Sequence, residues 1–189
     1  YAPLNAEWLR TQGVDSILDG EFEKDLVEIA KEVSLPKEMR SNVGIRPTGT
    51  IKLPRLQFLP PDRSGLPMLQ EYAMVQMTDG TRRVVGSTEA SRGCKHLCRH
   101  CPIVPVYKGQ FRVIPVDVVL HDVAAQVKAG ATHISFSDPD FFNGPKHATQ
   151  IIRRLATEHT GVTYDVTIKI EHLLRHADLL PLLHDTGCL

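Results

Sequence analysis

Apolar residues in the second half of the chain recur at two alternating periods, one typical of strands and one typical of helices. The short apolar runs predict strands at 83–90, 132–138 and 162–170. The longer runs predict helices at 115–130, 145–159 and 172–187, the last with a kink at Pro181. Cys188 and Leu189 read as the first residues of a fourth strand. This alternation predicts parallel strands joined by right-handed crossovers.

The first third of the chain has a different pattern. The stretch VDSILDG predicts a short strand that ends in a turn at Gly20, and an amphipathic helix follows as far as Val33. Prolines without sustained periodicity fill the region from Ser34 to about Arg83, which predicts a long connector. Such units build a barrel or a doubly wound sheet, and three are too few to close a barrel, so we expect a partial (β/α) barrel or an incomplete doubly wound sheet, truncated at both ends.

Composition and charge narrow the function classes. Lys plus Arg and Asp plus Glu both number 22, so no basic face that would follow a nucleic-acid backbone is indicated. No targeting segment precedes the fold, and no run of about 18 apolar residues predicts a membrane span. We therefore expect a cytoplasmic protein without a membrane partner.

Three of the four cysteines lie within eight residues, whereas Cys188 stands alone at the end. Cys94, Cys98 and Cys101 form a C-x3-C-x2-C run directly after the first predicted strand of the repeating part. Gly93 allows a tight turn before the first cysteine. Three thiolates can hold an iron-sulfur cube and leave one iron without a protein ligand, which indicates chemistry at that iron.

Other interpretations of the cysteines stay open at this stage. Zinc would need a fourth ligand, for which His96, His100 and His121 are available, and would give a non-catalytic binding module. A cluster with four protein ligands would instead give an electron carrier. The polar residues between the cysteines argue against three merely buried thiols.

The cysteine run after the first strand of a repeated β/α pattern resembles the radical S-adenosylmethionine (radical SAM) superfamily over about residues 83–189. The resemblance implies an enzyme in which Cys94, Cys98 and Cys101 ligate a 4Fe-4S cluster. Reductive cleavage of S-adenosylmethionine there would give a 5'-deoxyadenosyl radical that modifies an unknown substrate. It also implies an electron donor such as flavodoxin or ferredoxin.

Further positions follow from the same resemblance. The family usually has a large aromatic residue against the adenine just before the third cysteine, and this chain has His100 there. Ser137 and Asp138, at the end of the second strand, correspond to the contacts with the methionine amino group. A turn and helix cap explains these two residues equally well.

The N-terminal segment, with Gly20, Glu21 and Glu23, resembles the last strand and helix of a Rossmann-like, cobalamin-binding-type domain. The implied organisation is a domain remnant at 1–40, a connector at 41–82 and the first half of a radical SAM barrel at 83–189. The cobalt-ligating histidine motif of such domains would precede Tyr1, so cobalamin, possible in a longer protein, has no support here. The stretches SRGCKHLCRHCPIVPVY, FSDPDFFNGP and DVTIKIEHLLRH are most similar to a radical SAM subgroup named for a CUAEP or CCAEP tail.

The third predicted strand ends in Lys169 and Glu171, on the edge of the sheet where such folds carry their functional loops. These two residues either contact a substrate or form an ordinary salt bridge. His172 and His176 lie four apart on the predicted helix, but they lack the H-E-x-x-H pattern of zinc proteases.

Overall fold

The computed structural model describes residues 2–18, 20–36, 53 and 55–189. The chain divides into two compact units, one formed by Tyr1–Gln57 and Cys98–Lys108 and the other by Phe58–Leu97 and Gly109–Leu189. Most of the first half of the predicted connector falls outside the described residues. Among the described residues, no helix combines the length and apolar composition needed to cross a bilayer.

The first unit contains short helices. They are a 3-10 turn at Ala2–Asn5 and the helices α1 at Ala6–Thr11, α2 at Glu23–Val33 and α3 at Val104–Tyr107. Helix α2 and the turn at Gly20, whose φ is 56°, confirm the prediction for this segment. The predicted strand is not found, because residues 14–18 pair with no other strand within the part of the chain that the structure describes. A strand is stable only when its backbone groups find partners in a neighbour.

The second unit is built on a four-stranded sheet. Its strands are β1 at Met74–Gln76, β2 at Arg82–Thr88, β5 at His133–Phe136 and β6 at Thr163–Asp165, in the order β1-β2-β5-β6. Strands β2, β5 and β6 are parallel, and β1 is antiparallel to β2 at the edge. The predicted parallel α/β arrangement is confirmed, although each strand is shorter than its apolar run.

Two long helices follow the parallel strands as predicted, α4 at Val116–Lys128 and α5 at Pro145–Glu158. The third predicted helix is divided into α6 at Ile170–Arg175, a 3-10 turn at Ala177–Leu179 and α7 at Leu180–Asp185. Pro181 lies in the first turn of α7. Because proline has no N–H to donate, it fits a helix start better than a helix interior, which accounts for the break.

Cys188 extends the sheet. It forms an isolated parallel bridge with Tyr164, and the N–H of Leu189 donates to the carbonyl of Tyr164 at 3.0 Å. The prediction that these last residues begin a fourth strand is confirmed.

The hydrophobic core of the second unit lies between the sheet and the helices α4 and α5. Its most deeply buried side chains are Val119, Val123, Ile134, Ile151, Leu155 and Tyr164. Each buried aliphatic side chain of this size stabilises the fold by about 1.5–3 kcal/mol. The core therefore fixes the strand ends from which the loops of the candidate site leave.

The opposite face of β5 and β6 is polar. His133 contacts the Thr163 hydroxyl and an Asp165 oxygen, each at 2.8 Å, and the Ser135 hydroxyl donates to the other Asp165 oxygen at 3.0 Å. His133 and Ser135 stand directly opposite Thr163 and Asp165 in the strand register. These side chains satisfy one another on a partly exposed surface, where His133 is the buried member.

A two-stranded ladder is formed by residues that lie between β2 and α4 in the sequence. Strand β3 at Ser91–Gly93 pairs antiparallel with β4 at Phe111–Val113, and Gly93 stands opposite Phe111. The cysteine run leaves β3 directly after Gly93, whose φ of 76° confirms the tight turn predicted there. The ladder itself was not predicted, because strands of three residues carry no detectable periodicity.

Candidate functional site

The loop that bears Cys94 follows Gly93 and is fixed in the second unit by Asn143. The carboxamide oxygen of Asn143 lies 3.8 Å from the Cys94 sulfur and accepts the N–H of Lys95 at 3.2 Å. Cys94 has a free, half-buried thiol. The start of the cysteine run is thereby held against the end of β5.

Asn143 has a buried donor that none of the described residues satisfies. The side chain is 2% exposed, and its Nδ2 group has no hydrogen-bond partner. The amide cannot simply be reversed, because Nδ2 would then face the Lys95 N–H, which is also a donor. The group that faces Cys94 is therefore the carboxamide oxygen, which can accept the S–H of a neutral thiol.

Cys98 and Cys101 belong to the first unit, where both are free and half-buried. The Cys101 N–H donates to the Cys98 carbonyl at 3.1 Å, and the Val104 N–H donates to the Cys101 carbonyl at 3.3 Å. These successive turns lead into α3. His100, between the two cysteines, is exposed.

Two basic side chains near Cys94 are held in place. The Lys95 ammonium donates to the Asn143 carbonyl at 2.6 Å and lies 5.0 Å from the centre of the Phe111 ring. Arg92 pairs with Glu89 at 2.6 Å and lies over the ring of Phe58. Lys95 thus anchors the residue next to Cys94 to Asn143 and Phe111.

Ser137 and Asp138 occupy different environments at the end of β5. Ser137 is exposed, and its hydroxyl donates to the Thr88 carbonyl at 3.1 Å. Asp138 is buried and accepts the Ala90 N–H at 2.8 Å and the Ser91 hydroxyl. Burial raises the pKa of Asp138, although these hydrogen bonds oppose the rise. Its carboxylate links β5 to β3, and the predicted cofactor contact of both residues stays a prediction.

A second group of polar residues gathers at the same edge of the sheet. Asp140, after β5, lies with its Oδ2 2.8 Å from Nδ1 of His172 in α6. Nε2 of His172 lies 3.0 Å from Nε2 of His96, in the cysteine run. The Lys169 ammonium lies 3.0 Å from Nδ1 of His96 and 2.7 Å from Oε2 of Glu171. Lys169 and Glu171 therefore form the salt bridge considered from the sequence.

Sequence analysis did not bring His96, Asp140 and His172 together. Each follows a different strand of the second unit, so only the fold places them side by side. The sequence did contain one signal for this group, namely the polar residues that follow successive predicted strands. Because the carboxyl ends of parallel strands meet at one edge of a sheet, such residues can come together there.

No family model matches the chain, and a search of curated proteins returns no match. Among solved structures, the radical S-adenosylmethionine methyltransferase TsrM from Kitasatospora setae is similar to it. The structure of TsrM with its tryptophan substrate and the analogue aza-SAM aligns with a TM-score of 0.62 at 22% identity. The structure of TsrM with cobalamin and a 4Fe-4S cluster aligns with a TM-score of 0.57 at 18% identity.

Both alignments cover 95% of this chain but only 37% of the methyltransferase. At this level of identity the comparison shows a shared mixed α/β fold with a parallel sheet. The chain spans little more than a third of the length of TsrM.

Proposed function

We propose that the chain is part of a radical SAM enzyme, in which Cys94, Cys98 and Cys101 bind a 4Fe-4S cluster. The observation that carries the proposal is the position of the C-x3-C-x2-C run, beyond the carboxyl end of β2 in a fold similar to that of TsrM. In parallel α/β folds, functional loops lie at this edge of the sheet.

The residues around Cys94 fit such a cluster. All three thiols are free, and thiolates are the usual ligands of iron-sulfur clusters. The buried Nδ2 of Asn143, which has no partner among the described residues, is a donor available to a bound group at this loop. When bound, the cluster supplies the electron that cleaves S-adenosylmethionine to a 5'-deoxyadenosyl radical.

The other residues would act as binding groups. His100 would stack on the adenine, and Ser137 and Asp138 would orient the methionine amino group of the cofactor. The exposed hydroxyl of Ser137 is accessible for that contact. Asp138 would act through its hydrogen bonds to Ala90 and Ser91, which hold the strand that leads to the cysteines.

The finer features of this assignment are also proposals. They are a partial radical SAM barrel, a Rossmann-like remnant at the N-terminus, membership of the CUAEP/CCAEP-tail subgroup and a cytoplasmic location. An electron donor such as flavodoxin or ferredoxin would reduce the cluster, and the substrate is unidentified. TsrM carries cobalamin, but we assign no cobalamin to this chain.

The proposal is tested by anaerobic reconstitution with iron and sulfide, followed by electron paramagnetic resonance of the reduced protein with and without S-adenosylmethionine. We expect a cluster signal that changes when S-adenosylmethionine is added, because one iron lacks a protein ligand. A cluster whose signal is unaffected would indicate an electron carrier. Retention of zinc without a cluster would indicate a zinc-stabilised binding module.

Single alanine variants locate the ligands. Cys94→Ala, Cys98→Ala and Cys101→Ala should each lose the cluster, as measured by iron and labile sulfide per chain. Cys188→Ala is the matched control, because Cys188 extends the sheet and should not affect the iron content. Full iron and sulfide in any of the first three variants would contradict the assignment of that cysteine.

A further inference from the structure

We infer that His96, Asp140 and His172 form a binding site for one divalent first-row transition metal ion, distinct from the cysteines. One ligand atom of each residue lies within 4.8 Å of the other two. All three residues belong to the second unit. The inference does not rest on the proposed cluster.

Burial supports a ligand at this position. Asp140 is 2% exposed and His172 is 6% exposed. Asp140 Oδ2 and His172 Nδ1 lie 2.8 Å apart, yet neither has a hydrogen-bond partner with acceptable angles. Buried polar atoms in native proteins are rarely left in this condition without an ion or a water molecule.

The misalignment itself is consistent with a shared ion. Two ligand atoms that are each about 2.1 Å from a metal are about 3 Å apart at the right angle of octahedral coordination. They are about 3.4 Å apart at the tetrahedral angle that zinc usually adopts. Their lone pairs then point at the metal and not at each other. The 2.8 Å separation of Asp140 Oδ2 and His172 Nδ1 matches such a pair of neighbouring ligands.

The third ligand can close on the ion from the loop. His96 Nε2 lies 3.9 Å from Asp140 Oδ2, and the His96 side chain is 22% exposed. Its Nε2 faces Nε2 of His172, whereas Asp140 faces Nδ1 of the same ring, so His96 would have to move around that ring to share an ion with the other two ligands. Two imidazoles and one carboxylate suit zinc or ferrous iron, and they leave coordination positions for water or a substrate group.

The remaining carboxylate oxygen anchors the site to the backbone. Asp140 Oδ1 accepts the Phe142 N–H at 3.2 Å and the Lys169 N–H at 3.4 Å. These bonds orient Oδ2 toward His172. Outer contacts of this kind fix ligand orientation in metal sites.

Without an ion, His172 and Lys169 interact with the two nitrogens of His96, each at 3.0 Å. These contacts offer the competing explanation, a hydrogen-bonded group that binds no metal. Metal binding would displace the proton between the two imidazoles. The two explanations differ in whether the protein takes up an ion.

The test uses the full chain with Cys94, Cys98 and Cys101 all replaced by alanine, so that no thiolate from the run can bind metal. Zn²⁺ binding is measured by calorimetry, and Co²⁺ binding is measured by visible absorption. We expect one equivalent of each ion and a cobalt spectrum without the intense bands of thiolate ligation. No binding above background, or a thiolate-type spectrum, would overturn the inference.

In the same background, His96→Ala and His172→Gln should each weaken Zn²⁺ binding at least about 10-fold, since loss even of outer contacts costs about 10–100-fold. His184→Ala is the control, because its side chain is 87% exposed and pairs with the neighbouring Asp185. His96 is partly exposed, so its variant should fold even if His172→Gln does not; circular dichroism checks both. Unchanged binding in a folded His96→Ala chain would overturn the site.

Discussion

Asn143 connects the cysteine run to the strand edge, because its carboxamide oxygen accepts the Lys95 N–H. Replacement by alanine would leave that N–H without its partner. We expect Asn143→Ala to lower the free energy of unfolding of the cluster-free chain by about 1–3 kcal/mol, measured by urea denaturation. Thr149→Ala is the control, because it removes a hydroxyl that bonds to a carbonyl on an exposed helix surface. It should change the free energy of unfolding by less than about 0.5 kcal/mol. Equal effects in the two variants would contradict this role.

His147 should make stability depend on pH. Burial lowers the pKa of His147 below its ordinary value of 6.5, although its ring donates to the Ala90 carbonyl. The unfolded chain therefore takes up this proton more readily. Stability is lost as the pH falls from about 6.5 through the lower pKa of the folded state.

His147→Gln cannot titrate but can keep a donor toward that carbonyl. Urea unfolding between about pH 7.5 and 5.5 should show a shallower loss of stability in His147→Gln than in the wild type. Some loss will remain, because burial also lowers the pKa of His172. His184→Gln, at an exposed position, should follow the wild type. Identical slopes for His147→Gln and wild type would show that His147 makes no contribution.

At the residue scale, local spacing was enough to identify Cys94, Cys98 and Cys101 as candidate cluster ligands, because such ligands often lie close together in sequence. Their role stays a prediction. Local spacing was not enough for Asn143 or Asp140. Their partners lie 48 and 32 positions away, at Lys95 and His172. Such contacts depend on how loops from different strands meet, which no local pattern encodes.

Helix α4 is joined to strand β2 through Gln126. Its carboxamide accepts the Ser87 N–H at 2.8 Å and donates to the Ser87 carbonyl at 3.1 Å. A Cβ at Gly86 would lie only 2.6 Å from Gln126 Oε1. We expect Gly86→Ala to destabilise the chain by about 1–3 kcal/mol, because the buried amide must move.

A double-mutant cycle checks the cause. If the clash with Gln126 causes the loss, Gly86→Ala should cost less in a Gln126→Ala background than in the wild type, as measured by urea unfolding. Strictly additive effects would point instead to Ile134, whose Cδ1 lies 3.0 Å from the same Cβ position.

Arg63 holds the segment before β1 against α4. Its guanidinium bonds to both oxygens of Asp122 at 2.7 and 2.9 Å, and Asp122 is 2% exposed. We expect Arg63→Ala to cost about 2–4 kcal/mol in urea unfolding, because it leaves a buried carboxylate without its cation. The stability of Arg63→Lys should lie between those of the wild type and Arg63→Ala, because lysine keeps the positive charge but lacks the planar fork of the guanidinium.

Arg154 provides the comparison. It also contacts two carboxylates, Asp117 and Glu158, but on the surface. Arg154→Ala should cost clearly less than Arg63→Ala in the same measurement, because solvent screens its ion pairs. A loss as large as that of Arg63→Ala would show that burial does not set the difference.

At the element scale, the order of strands and helices from residue 83 onward was predictable, because the apolar period changes with each element. The division of the third helix was not, although Pro181 gave the position of a kink. The β3–β4 ladder was missed because its strands are too short for any period. The ladder matters for the site, since the cysteine run departs from it.

On the scale of the whole molecule, the proposed cofactor should stabilise the fold. A ligand that binds only the folded state raises its stability, by about 2.7 kcal/mol at 100 times the dissociation constant. We expect S-adenosylmethionine to raise the Tm of the anaerobically reconstituted chain, measured by calorimetry. The cysteine triple variant should show no shift. A shift of equal size in that variant would mean that the ligand binds independently of the cluster.

For the whole chain, sequence predicted a mixed α/β fold with a parallel sheet, and the structure confirms it. The partial barrel and the Rossmann-like remnant stay predictions. The sequence suggested a strand before Gly20 because its apolar run fits one, but pairing with a neighbour decides strand formation. Local composition carries no information on such a neighbour.

The polar face of β5 and β6 also restricts how the two strands can align during folding. A shift by one residue would move His133 and Ser135 to the opposite surface and bring Ile134 out of the apolar layer. Both sets of side chains would lose their partners in the same step. Misaligned pairings of these strands are therefore disfavoured, and the sheet edge that carries the candidate site is held in one register.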